Sequence, residues 1–205
     1  MPDSGKEKIL EEWKAFAEKH GGRYLPDEFS FSEDAFGKLE VPYKAWKVTI
    51  DIDVFRHSVN YVEYFTRLRA AFVSPERFRL KIYQEGFRSE IGKIFGMQDI
   101  VLGYPEFDET FIIQGSDPAK LKELFSDEEL RSKLLTDRGF VLSVLKNEGF
   151  FRRSGAERVD VIEYEVFGIA ENAAMLEAHY ELMGTILDRM CALGVTIEQA
   201  PAKEF

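Results

Sequence analysis

The chain is poor in the residues that most often carry chemistry. A single cysteine, Cys191, rules out an internal disulfide and any zinc site built on several thiolates, and it fits a reducing compartment. It lies within a helical apolar pattern, where a free cysteine packs as a small hydrophobe. The three histidines, His20, His57 and His179, are far apart, and none has the i, i+4 partner of a zinc-binding helix. No serine or cysteine sits in a nucleophile-elbow motif. Excess positive charge is also missing. With 27 Lys and Arg against 37 Asp and Glu, the net charge is −10, which argues against broad binding to duplex nucleic acid, an affinity that comes from cations neutralising phosphates. No apolar run approaches the ~20 residues of a membrane-spanning helix, and the opening MPDSGKEK lacks the apolar core of a signal peptide. The expectation is a soluble, cytoplasmic protein with no transmembrane segment and no implied cofactor.

What is present is enough apolar material for a core. At 45% hydrophobic over 205 residues, and with no internal repeat or low-complexity linker, the chain is expected to form one domain, 1–205, that buries roughly 70% of its unfolded surface. Residues 6–20 place Ile9, Leu10, Trp13, Phe16 and Ala17 at helical spacing, and Gly21-Gly22 supplies the stop. Residues 23–43 read as short extended pieces and turns.

From Ala45 the period becomes two. Trp46, Val48, Ile50, Ile52 and Val54 share one face, with Lys47, Thr49, Asp51 and Asp53 on the other. Residues 61–72 put Glu63, Arg67 and Arg69 outward, and residues 78–83 do the same with Arg79 and Lys81. Three such runs joined by short turns predict an antiparallel meander over 45–83 with one solvated face. Ser89 is expected to cap a short helix over 90–95. Further strands are expected at Asp99–Leu102, Thr110–Gln114, Phe140–Lys146 and Arg158–Phe167, with a turn at Gly103–Glu106. Ser116 or Asp117 should cap a helix with Pro118 in its first turn, and Ser126 with Glu129 forms a capping box for the next. A helix over 171–193 with Leu176, Tyr180, Met183, Leu187 and Met190 on one side closes the chain, followed by a frayed tail from Thr196. Strands and helices are segregated, so the expected class is α+β: an antiparallel sheet packed by N-terminal, middle and C-terminal helices.

Arg67, Arg69, Arg77, Arg79 and Lys81 are the candidate anion-binding residues, because all are expected on one side of the meander, where they could hold the phosphate of a lipid headgroup or nucleotide. The competing reading pairs them across strands with Asp51, Asp53 and Glu63, each pair contributing about 0.2–1 kcal/mol. Arg152 and Arg153 would enlarge a patch if the fold brings them near. Asp51 and Asp53, two apart on a strand and so ~7 Å apart on one face, have the spacing of paired hydrolytic or metal-binding carboxylates, as do Glu163 and Glu165. The arginines opposite give Asp51 and Asp53 another role. The Gly115-Ser116-Asp117-Pro118 turn leads from strand to helix as phosphate loops do, but an aspartate there caps the helix and repels an anion. Eighteen phenylalanines suit a packed core and would also line an apolar cavity.

The run Phe107-Asp108-Glu109-Thr110-Phe111-Ile112-Ile113, followed by Ser116-Asp117 and a helix to Phe125, resembles a family of uncharacterised bacterial proteins, a domain of unknown function, over about the last 120 residues. The resemblance implies a bacterial α+β binding or accessory module, and no functional residue carries over with it. Three readings follow. One is a non-enzymatic binding or scaffolding domain acting on a protein partner. Another is a module for a small anionic ligand on the basic face of the 46–83 meander, and a minor alternative is a carboxylate hydrolase. A homo-oligomer through the 171–193 helix is left open, and Asp108 is expected to meet a backbone N–H or an arginine if it is buried.

Overall fold

The computed structural model describes residues 3–27, 36–58, 61–84, 98–137, 139–146 and 158–202. Within them, helix α1 (Asp3–Lys19) is followed by strands β1 (Arg23–Leu25), β2 (Lys38–Tyr43), β3 (Trp46–Ser58), β4 (Tyr61–Val73), β5 (Leu80–Tyr83) and β6 (Gln98–Asp99). Helix α2 (Pro105–Thr110), β7 (Ile112–Gly115), α3 (Pro118–Leu124), α4 (Glu128–Thr136), β8 (Phe140–Lys146), β9 (Val159–Phe167) and α5 (Ala173–Ala192) complete the order. The strands form one sheet in the order β1-β2-β3-β4-β9-β8-β5-β7-β6, and every ladder in it is antiparallel. The class is α+β, as the segregated pattern implied.

One connection differs from the expected meander. β3 and β4 form a long hairpin, but β9 and β8 lie between β4 and β5. Local periodicity decides which residues of a strand face the core. It does not decide which strand lies alongside, and here the late strands β8 and β9 supply the broad apolar partners for β4. The strand pair expected within 99–114 is present as β6 and β7, with β6 shorter than expected, and the connection between them holds a short helix, α2, after the turn whose backbone N–H groups Asp108 accepts. The proposed helix over 90–95 and the residues Arg152 and Arg153 fall outside the described residues.

The five helices pack on the face formed by Val48, Ile50, Leu68, Tyr164 and Ile82. α1, α3 and α4 all touch α5, α2 touches α4, and α5 touches β4. Phenylalanines carry much of this layer. Phe125, Phe107, Phe111, Phe140, Tyr164 and His179 form an unbroken run of ring contacts with centroids 4.9–5.8 Å apart, and each such pair adds about 0.5–1.5 kcal/mol beyond area burial.

Helix ends follow sequence chemistry. Gly21, at φ 68, ends α1, Asp117 caps α3 through the Lys120 N–H, and Asn172 caps α5. Asp127 caps α4 in place of Ser126, whose hydroxyl donates instead to the Glu123 carbonyl. The expected frayed tail begins tied down. Val195 and Thr196 are buried, and the Thr196 hydroxyl donates to the Val73 carbonyl at 3.0 Å. Tyr180, Met183 and Met190 are likewise buried against their own chain, so that side of α5 has no apolar surface to offer a second copy.

Candidate functional site

The face of the sheet away from the helices is built from cross-strand rows. The longest runs Arg23–Glu40–Thr49–Arg69–Glu163–Ser143–Lys81–Gln114–Asp99, one polar residue from each of the nine strands, each opposite the next in register. A neighbouring row repeats the charge order as Lys38–Asp51–Arg67–Glu165. These residues are not the solvated set that alternation implied: Glu40, Ser143, Lys81, Gln114 and Glu165 are all under 9% exposed. Packing charged side chains this closely is tolerable only because neighbours in a row alternate in sign or are neutral.

Arg67 and Arg69 stand together in the middle of this face and are both claimed by carboxylates. Arg67 Nε donates to Asp51 Oδ1 at 2.8 Å and Nη1 to Asp53 Oδ1 at 3.3 Å, while Arg69 Nη2 donates to Asp51 Oδ2 at 2.5 Å. Asp51 and Asp53 are thus held by guanidinium groups, the arrangement of a structural pair. Burial raises the pKa of Glu163 beside them, and Arg67 and Arg69 only partly offset this. The other three expected cations are elsewhere. Arg77 and Arg79 lie in the segment before β5, where Arg79 turns to Asp160 at 3.4 Å. Lys81 on β5 is three strand positions from β4, roughly 14 Å away by sheet spacing, and its burial lowers its pKa. The five residues do not form one patch.

A groove of about 630 Å³ opens on this face over β1–β4. Its charged side is Arg23, Lys38, Lys47 and Arg69 around one carboxylate, Glu40. Arg23 donates to Glu40 Oε2 through Nε at 3.1 Å and Nη2 at 2.8 Å, and Lys38 and Lys47 approach Oε1 at 3.5 and 3.4 Å. Burial works against ionisation of Glu40, but the Arg23 hydrogen bonds and the charges of Lys47, Arg23 and Lys38 outweigh it and hold its pKa below the usual range. The other side is mainly apolar, with Pro42, Ala71, Val161 and Pro201, and Lys47 opposite Pro42 in register. Ala71 and Val161 lie two residues along their strands from Arg69 and Glu163, so the apolar row is set ~6.7 Å from the charged one. The small Ala71 side chain contributes to the concavity. Among the lining residues, Arg69 Nε is buried without a hydrogen-bond partner; the Trp46 indole, likewise unpartnered, lies on the helix-facing side with Val48 and Ile50. Sequence reading missed Arg23, Lys38 and Lys47 as site residues because β1 and β2 lie in the stretch with the weakest periodicity. Only the outward position of Lys47 on β3 gave a signal.

Two further polar clusters are accounted for structurally. Asp108 accepts backbone N–H groups from Leu102, Gly103 and Tyr104 at 2.7–2.8 Å, one of the two partners expected for it. His179, buried on α5, lies 3.7 Å from Asp137, which accepts the Tyr164 hydroxyl at 2.5 Å. Among the described residues, no group of three or more His, Cys, Asp or Glu is placed to hold a metal ion, and no helix is long and apolar enough to cross a membrane.

No family model matches the chain, and no curated protein sequence matches it significantly. Among solved structures, it is similar to the crystal structure of the mycobacterial trehalose monomycolate transport factor A, TtfA. The TM-score is 0.52 with 10% sequence identity, over 96% of this chain and 98% of that one. At this identity the likeness establishes a shared fold, and a fold alone assigns no activity.

Proposed function

We propose that the chain is a non-enzymatic binding module whose working surface is the outer face of the sheet, and that the β1–β4 groove takes a ligand bearing negative charge. The observation that carries this reading is the charge of the lining: Arg23, Lys38 and Lys47, together with Arg69, which Asp51 also holds, against Glu40 as the one carboxylate among the lining residues. Arg23 and Lys38 are the most exposed of the cations that Glu40 holds, so both can meet an incoming anion while they still face Glu40. The paired state of Asp51 and Asp53 supports binding over hydrolysis, since a catalytic carboxylate pair needs one member free to take or give a proton. The fold shared with a protein named as a transport factor is compatible with a binding role.

The test is calorimetric titration with inorganic phosphate and with glycerol 3-phosphate. Affinity is expected to fall as ionic strength rises from about 0.01 to about 0.15 M, where the screening length shrinks from ~30 to ~8 Å. It is expected to fall at least about tenfold in the Arg23→Ala/Lys38→Ala variant, while Arg67→Gln, on the carboxylate-bound guanidinium outside the groove, leaves it unchanged. Equal binding by the double variant and the parent would overturn the assignment to this groove.

A further inference from the structure

We infer that the ligand of the groove is a singly charged anionic amphiphile, with its acidic head at Arg23, Lys38 and Lys47 and its apolar portion along Ala71, Val161 and Pro42. The inference rests on the binding reading above and adds the chemical class of the ligand. Two observations on the lining carry it.

The first is the division of the groove by register. The Arg23–Glu40–Thr49–Arg69 row forms one side, and the residues one strand-repeat along form the other, where Ala71 faces Val161 and Pro42 faces Lys47, whose ammonium turns back to Glu40. A ligand filling the groove therefore lies across a charged row and an apolar row at once, and a compact inorganic anion leaves the apolar row open to water. The second is Glu40. It already neutralises part of the charge of Arg23, Lys38 and Lys47, and it is too buried and too well bonded to leave. An incoming head must share those cations with it, which favours one negative charge over two or three. The volume falls within the ~300–1,000 Å³ of small-molecule sites.

The experiment compares inorganic phosphate, butyl phosphate, hexyl phosphate and octyl phosphate, all kept below micelle formation and at about pH 5.5, where each is mostly singly charged. Binding is read by calorimetry. Full burial of a methylene is worth ~0.8 kcal/mol, about fourfold in affinity, and an open groove is expected to realise at least about twofold per methylene. Octyl phosphate should then bind about sixteenfold or more tightly than butyl phosphate. Ala71→Leu, which fills the apolar side and leaves every charge in place, should flatten that series while sparing inorganic phosphate. If all four phosphates bind equally well, the groove reads charge alone; the amphiphile inference then fails while the anion-binding reading stands. If none binds, both fail together. Octanol binding as tightly as octyl phosphate would overturn the role assigned to the cations.

Discussion

Glu40→Gln should weaken the fold and strengthen the site, and the opposite signs make it the most discriminating substitution in the chain. The carboxylate sits among Arg23, Lys38 and Lys47 at 2.8–3.5 Å. Pairs of this kind with one exposed partner contribute about 0.2–1 kcal/mol each, so three of them, with one Arg23 hydrogen bond kept by the amide oxygen, put the loss of stability near 1–2 kcal/mol. That is small enough for the variant to remain folded against the ~5–15 kcal/mol of a typical domain. The gain in affinity comes from removing a charge that the ligand head must face. Two unit charges ~5 Å apart repel by about 3 kcal/mol at an effective dielectric constant near 20, and the open side of the groove cuts this to about 1 kcal/mol, or roughly fivefold in affinity. Urea unfolding should show a lower midpoint with an unchanged slope. Titration with octyl phosphate on the same sample should show tighter binding. Affinity that falls together with stability would mean that Glu40 positions the cations for the ligand instead of competing with it, and the assignment of ligand charge would be wrong.

Other consequences are open to direct measurement. Asp108→Ala strips the acceptor from three backbone N–H groups before α2 and should cost about 2–3 kcal/mol in urea unfolding, since hydrogen bonds to a charged acceptor exceed neutral ones and water can replace only the exposed part; a loss below about 0.5 kcal/mol would show that the loop holds itself. Burial lowers the pKa of His179, with Asp137 opposing, so the unfolded chain takes up that proton more readily than the folded one. Stability from this residue is present above the unfolded value of ~6.5 and lost as pH falls below it. His179→Gln should flatten the stability profile below about pH 6.5, and a profile parallel to the parent would refute the account. Gly115→Ala would put a Cβ 2.3 Å from Leu121 Cδ1 and 2.8 Å from the Arg79 carbonyl oxygen, and should cost about 1–3 kcal/mol by overpacking the α3–β7 contact. A melting temperature equal to that of the parent would contradict it.

Much of this architecture is legible in the chain, because the signals are local. The alternation from Trp46 to Val54 marks the inward residues of β3 through Ile50, and the period of two also places Asp51 opposite the arginines of the next strand, where Arg67 and Arg69 in fact bind it. Asp117, Pro118 and Asn172 mark helix starts by their own hydrogen-bonding chemistry. What could not be read is long-range. Nothing in residues 74–83 records that β8 and β9, more than fifty residues later, pair between β4 and β5. The groove depends on the same kind of information, since Arg23, Lys38 and Lys47 come from three strands and meet only through the register that aligns Glu40 with Arg23 and Thr49.

The alternating nine-residue row also bears on how a ligand arrives. Opposite charges a strand apart cancel at a distance, so the cations of the groove project little field beyond their own contacts, while the molecule as a whole carries −10. An anion diffusing in meets repulsion first and attraction only at the surface. Encounter is therefore slowed at low ionic strength, the reverse of electrostatic steering, and added salt should raise the association rate even as it hastens release.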